Sequence, residues 1–224
     1  MEQRTYNQYC ATARTLDLVG ERWTLLLVRE LLTGPKRFGD LRDSLRGLGT
    51  GLLAARLKHL EREGLARKTA LPPPARTPVY ALTEAGEELA PAILALARWG
   101  LKWTMGERGP AETFHPGWTV LGLRAVFDPE AAAGLRAVYE FRIGGEVFYA
   151  RIDDGTIEAQ HGPAQHPDAT ITISEDALAA LTGQGGTFAE ALASGAAEAS
   201  GDAEALRRLN GLFRLPPARS RTSS

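Results

Sequence analysis

The chain of 224 residues has a single cysteine, Cys10. No disulfide can form within it, which suits a reducing compartment. No apolar run approaches the ~20 residues that a bilayer-spanning helix needs. The opening segment, MEQRTYNQYC, also lacks the apolar core of a secretory signal. A cytoplasmic location with no membrane partner is therefore expected. Catalytic spacings are missing too. There is no Gly-x-Ser-x-Gly elbow. The glycines within 47–51 and 183–186 follow no expected strand, so they make no phosphate loop. Of the histidines, His59, His115, His161 and His166, only the last two are close in sequence, whereas structural zinc wants four ligands. Asp153 and Asp154 fall in an expected turn and read as solvated. The sequence therefore predicts no enzyme, metal site or cofactor.

A net charge of −1 conceals an asymmetry. Residues 1–105 hold 16 Lys+Arg against 11 Asp+Glu, a net +5; residues 106–224 hold 10 against 16, a net −6. A basic front half suits a polyanionic partner, and an acidic back half should stay away from one.

The basic half contains RFGDLRDSLRGLGTGLLAARLKHLEREGLARKTALPPPARTPVYALT, from Arg37 to Thr83. A short helix is expected from Phe38 to about Leu45, then a glycine-rich turn, then a second helix over about 50–63. In that helix Leu53, Leu57 and Leu60 repeat at the spacing of one buried face. Roughly opposite lie Gly51, Ala55, Lys58 and Arg62, with Arg56 and His59 on the flank. Thr50 is the expected N-cap, and Gly64 the expected stop. Slim residues early in a helix let its backbone approach base edges in the major groove, and Arg56 or His59 can donate to a base or a phosphate. Two strands are expected at about 65–70 and 78–82. The tip between them is stiffened by Pro72, Pro73 and Pro74. Arg67, Lys68 and Arg76 on this wing, and Lys36 and Arg37 before the first helix, can meet phosphates. Helix, turn, helix and wing predict a module that reads double-stranded DNA. Solvated basic faces and plain helix packing explain the same pattern less completely.

Two longer helices are expected to flank the module, over 11–33 and 84–104. The first has a stripe of Leu16, Val19, Trp23, Leu26, Leu27 and Leu31. The second is capped by Thr83 and carries Leu89, Ile93, Leu96, Trp99, Leu101 and Trp103, a broader apolar set than one small domain needs. A homodimer contact is expected there, because paired recognition helices gain affinity from both halves of a pseudo-palindromic operator. Cys10 precedes the first helix, with Arg14 one turn on. A helix N-terminus lowers a thiol pKa, so Cys10 stands either as a reactive thiol or as an inert one.

Residues 106–116 read as a linker. Beyond them a helix is expected over about 129–137, followed by a three-strand meander over about 138–159, turning at Gly144-Gly145 and Asp154-Gly155. A fourth strand follows at Ala169–Ile173, and a weak fifth at about 196–200. Helices are expected at about 175–182, 188–194 and 203–213, capped by Ser174, Thr187 and Asp202. The tail 216–224 is polar and expected to be disordered. An antiparallel sheet with helices on one face can enclose an apolar cavity.

Cys10, then ARTLDLVGERWTLLLVRELLTGPKRFGDLRDSL, GLGTGLLAARLKHLEREGLARK and VYALTEAGEEL, resembles the HxlR-type winged-helix regulators over about residues 8–105. The resemblance implies a homodimeric, sequence-specific DNA-binding regulator, with Thr50 to His59 in the major groove and the Arg76 loop as wing. Some members sense oxidants or electrophiles through a cysteine placed like Cys10; others keep one there without that role. DATITISEDALAALTG, TFAEALASG and GDAEALRRL resemble a sterol carrier protein type 2-like domain, a fold that holds lipids in an apolar tunnel. The segment AAEAS departs from that pattern. The lining candidates are Phe141, Phe148, Ile152, Ile171, Leu178, Phe188, Leu192 and Phe213.

The expected fold class is thus α+β: a winged helix-turn-helix domain (1–105), a linker (106–116), and an antiparallel-sheet/helix sandwich of sterol-carrier type (117–215). The expected function is a DNA-binding transcriptional regulator whose second domain senses a small apolar effector. The alternatives are a redox or electrophile sensor acting through Cys10, and a lipid-binding protein with an accessory winged helix.

Overall fold

A computed structural model of the chain describes residues 5–71, 74, 76–109 and 111–216. The tail beyond Pro216 and the tip residues Pro72 and Pro73 lie outside the described residues. Two compact units divide after Ile93.

The first unit runs α1 (Ala11–Val19), α2 (Thr24–Leu32), α3 (Phe38–Ser44), α4 (Thr50–Arg62), β1 (Ala66–Ala70), β2 (Pro78–Leu82), α5 (Glu84–Glu87) and the start of α6 (Ala90–Trp103). Its core gathers Leu27, Val28, Leu41, Leu53, Leu57 and Leu60, all at most 1% exposed. One apolar face from each of α2, α3 and α4 supplies them.

Two expected long helices are each broken in two. Residues 11–33 do not form one helix. The Gly20 N–H bonds to Leu16 O and closes α1, and Trp23 then takes a left-handed φ of +79° as the N-cap of α2. That conformation costs a bulky residue on the order of 1–2 kcal/mol. It is offset by packing the indole against the core. The break re-aims the two halves, so Leu16 and Leu26, expected in the buried stripe, are 41% and 39% exposed. Residues 84–104 likewise divide into α5 and α6. Thr83 does cap α5, accepting from the Gly86 N–H at 3.3 Å. Pro91, which has no N–H to donate, lies in the first turn of α6.

The second unit holds the rest of α6, a 3-10 turn (Pro116–Trp118), α7 (Thr119–Val126), β3 (Arg136–Ile143), β4 (Glu146–Asp153), β5 (Thr156–His161), β6 (Ala169–Ile173), α8 (Glu175–Gln184), α9 (Phe188–Ala193), β7 (Ala197–Gly201) and α10 (Ala203–Leu212). The strands form one sheet in the order β5-β4-β3-β6-β7. The meander is as expected. Its first turn uses Gly144 and Gly145 at φ +58° and +86°, the left-handed pair that a two-residue hairpin requires.

The sheet is mixed rather than antiparallel, because β6 pairs with β3 in parallel, Tyr139 beside Ala169 and Ile143 beside Ile173. Alternation specifies which face of a strand is buried but not its direction. The helix expected at 129–137 is absent. Asp128 Oδ1 accepts from Glu130 and Ala131, and the carbonyls of Ala132 and Leu135 accept from the β4–β5 turn at Gly155 and Asp154. A helix continuing through them would need those same carbonyls. The helix that does precede the meander is α7. Val120, Leu121, Leu123, Ala125 and Val126 are all buried, so it offers no polar face from which to read a period.

Candidate nucleic-acid interface

The helix α4 begins one residue earlier in its cap than expected. Gly49, in extended conformation, is the N-cap and makes no side-chain cap bond; Thr50 is the first helical residue and is exposed. The helix ends where expected, with Gly64 at φ +71°, a conformation that glycine adopts without the Cβ penalty. Gly51, Ala54, Ala55 and Lys58 are exposed, and so is Arg62, which bonds Glu63.

Arg56 and His59 are not arranged as the sequence suggested. Arg56 Nη2 lies 2.8 Å from Glu21 Oε2, with its side chain only 19% exposed. His59 Nε2 is 2.7 Å from Leu18 O, and its Nδ1 faces Arg62 Nη2 at 2.9 Å. Leu18 belongs to the last turn of α1, whose carbonyls have no helical partner. That carbonyl, and the carboxylate just after it, draw both donors inward. Arg56 and His59 therefore tie α4 to α1 and the turn after it, and the exposed surface of the first two turns of α4 is left to Thr50, Gly51, Leu52, Ala54 and Ala55.

The wing is a two-stranded hairpin, with Ala66 beside Leu82 and Ala70 beside Pro78. Arg67 and Lys68 on β1 are exposed, as are Arg37 and Arg76. The Lys68 ammonium lies 5.9 Å from the centre of the Tyr80 ring. Lys36 exchanges two backbone bonds with Tyr80, at 2.8 and 3.0 Å, and so adds a one-residue third strand. Its ammonium turns back toward Thr33 O at 3.5 Å. Arg37, Arg67, Lys68 and Arg76 thus present positive charge at the surface, whereas Lys36 is half-buried and its backbone joins the hairpin. Arg46 in the α3–α4 turn and Leu52 in the first turn of α4, 42% exposed, were not among the expected contacts. Position 46 carried a legible signal, a base in the turn. Position 52 carried none, because a leucine beside the Leu53 stripe reads as core.

The eight lining candidates come together in the second unit. Phe141, Phe148, Ile152, Ile171, Leu178, Phe188 and Phe213 are buried in one cluster, with Leu192 packed against it. Phe141 meets Phe213 edge-on at 5.8 Å and Phe188 at 6.0 Å. These residues hold one another as a packed core. His161 pairs with Glu146 at 3.3 Å. Among the described residues no group of three or more His, Cys, Asp or Glu could hold a metal ion. Among them also, no helix is long and apolar enough to cross a membrane.

A family model for HxlR-like helix-turn-helix proteins matches residues 18–108. The HTH-type transcriptional regulator YvaP of Bacillus subtilis is 36% identical over 93 residues, covering 40% of this chain and 83% of that protein. The chain belongs to the HxlR-like helix-turn-helix family. The HTH-type transcriptional regulator Rv3095 of Mycobacterium tuberculosis is 40% identical over 100 residues, 45% of this chain and 63% of its own length. The solved structure of reduced YodB from B. subtilis is 30% identical, covers 42% of this chain and 92% of that one, and superposes with a TM-score of 0.37. A second family model, Alkyl sulfatase C-terminal, matches residues 122–219.

In this HxlR-like protein Cys10 is exposed and is the N-cap residue of α1. The backbone N–H groups of Ala13, and then of Thr12, favour the thiolate and hold its pKa below the ordinary thiol value. Arg14 lies over the Tyr9 ring at 4.8 Å.

Proposed function

We propose that the chain is a DNA-binding transcriptional regulator that acts as a homodimer on a pseudo-palindromic operator, with α4 in the major groove and the β1–β2 hairpin on the flanking backbone. The observation that carries this reading is the outward face of α4. It is slim at its N-terminal end, turns basic at Lys58, and is followed directly by a hairpin whose exposed β1 carries Arg67 and Lys68. The curated relatives' names support it. A second copy has a suitable contact on α6, where Leu96, Trp99 and Trp103 are 53%, 58% and 37% exposed along one face. The test is recovery of genomic fragments with the purified protein, beginning with DNA upstream of its own gene. Enrichment of discrete fragments over competitor DNA is expected. Retention of none overturns the reading.

The second unit is read as a sheet-and-helix sandwich of sterol-carrier type that takes a small apolar effector, and no catalytic step is assigned to it. Support comes from the alternating sheet with an apolar inner face. A panel of acyl chains, sterols and aromatics should raise the melting temperature for at least one class; no shift, with no ligand on extraction, overturns this reading.

The exposure and lowered pKa of Cys10 favour a second reading, a thiol switch. The thiolate gains population as pH rises, and here it does so from a lower pH than in a free thiol. Alkylation by iodoacetamide should follow that sign, and Cys10→Ser should abolish any oxidant response while DNA retention persists.

A further inference from the structure

The first two turns of α4 expose Thr50, Gly51, Leu52, Ala54 and Ala55. Thr50 is the only one with a side chain able to hydrogen-bond. Further along, Arg56 places Nη2 on Glu21 and His59 places Nε2 on Leu18 O, which leaves Lys58 as the exposed donor. The exposed surface of those first two turns therefore offers base edges only the Thr50 hydroxyl, while Lys58 and the exposed bases of β1 surround it with positive charge. Leu52 is the outlier within it. Leu53, beside it in sequence, is fully buried, yet Leu52 remains 42% exposed, three residues before Ala55 and so its neighbour on the helix surface.

An exposed leucine on an insertion helix gains nothing from phosphates or from the polar base edges. The major groove offers it one apolar feature, the C5-methyl of thymine. We infer that this helix reads thymine methyl groups, with Leu52 as the specificity-determining contact and Ala55 beside it allowing close approach. Arg56 and His59 act as positioning residues that set the depth and angle of α4. The inference rests on the DNA-binding reading above and deepens it.

The test uses the full chain and a genomic fragment that it retains. Each thymine of the protected site is replaced singly by deoxyuridine, which lacks only the methyl and keeps every hydrogen-bonding edge. Loss of one buried methyl should weaken binding about four-fold at one or two positions of each half-site, and should be silent elsewhere. Placing 5-methylcytosine, but not cytosine, at a sensitive position should recover part of the affinity. Leu52→Ala should bind the unmodified site as weakly as the wild type binds the deoxyuridine site, and should no longer distinguish the two. If wild-type protein binds every deoxyuridine duplex as tightly as the natural one, the methyl reading is overturned while the DNA reading stands. Equal sensitivity in Leu52→Ala and wild type would remove Leu52 from the role. A protein that retains no fragment at all would remove both readings together.

Discussion

The residues singled out in the first unit and those singled out in the second are built in opposite ways. Around α4 and the wing the candidates lie apart on the surface. Lys58, Arg67, Lys68 and Arg76 are exposed and open to a partner outside the chain. In the second unit the candidates are the interior itself: Phe141, Phe148 and Ile171 are each at most 1% exposed. A surface set can change with little consequence for folding, because it is not what the fold rests on. A core set cannot be altered for a ligand without altering stability. The contrast explains why a recognition surface can be as sparse as the face of α4, while an apolar interior reads equally as core or as lining.

The largest expected effect probes the interior. Phe148→Ala should destabilise the second unit by about 3–5 kcal/mol in a denaturant titration. A loss below about 1 kcal/mol would mean that Phe148 borders a space rather than filling one, and the contrast between the units would weaken. Next comes Tyr139, whose hydroxyl donates to Ala205 O at 2.9 Å. Burial raises its pKa from about 10 to about 12. The neutral phenol is thus favoured by the fold. Its contribution is complete below about pH 10 and is lost as pH rises through about 12, on the order of 3 kcal/mol in all. Tyr139→Phe should remove about 1 kcal/mol at neutral pH and flatten that alkaline decline. An unchanged decline would assign it to other groups.

On the outer surface the effects should shrink. Arg56→Ala should cost about 1 kcal/mol of stability or less, matched by Glu21→Ala and not additive with it. If it instead relaxed discrimination at one base pair, Arg56 would leave Glu21 on binding and read DNA directly. Lys58→Ala should leave stability within about 0.5 kcal/mol but lower the salt dependence of DNA binding by about one ion. A large loss of stability there would erase the distinction between the two regions.

Much of this was legible in the sequence. The Leu53, Leu57, Leu60 stripe placed α4, Gly64 ended it, and alternation at Tyr139, Phe141, Ile143 and Phe148, Ala150, Ile152 placed the sheet. What could not be read depended on partners distant in the chain. Nothing near Arg56 or His59 indicates that Glu21 and Leu18 O will claim them. The break at Trp23 is a left-handed residue that no local pattern demands. The direction of β6 relative to β3 follows from the path of residues 162–168, not from the strand's own alternation. In each case a tertiary contact decided what the local pattern left open.

The parallel pairing of β3 with β6 also leads to an expected order in time. The β3–β4 and β4–β5 hairpins close through neighbours only a turn apart, and such local closures take microseconds. Tyr139 pairs with Ala169 across an intervening stretch that holds both β4 and β5, and β7 is bonded to the sheet through β6 alone. Non-local pairing of this kind slows folding. The meander should therefore form early, and protection of the β6 amides against hydrogen exchange should appear last but for those of β7, the strand that departs most from the pattern of its resemblance.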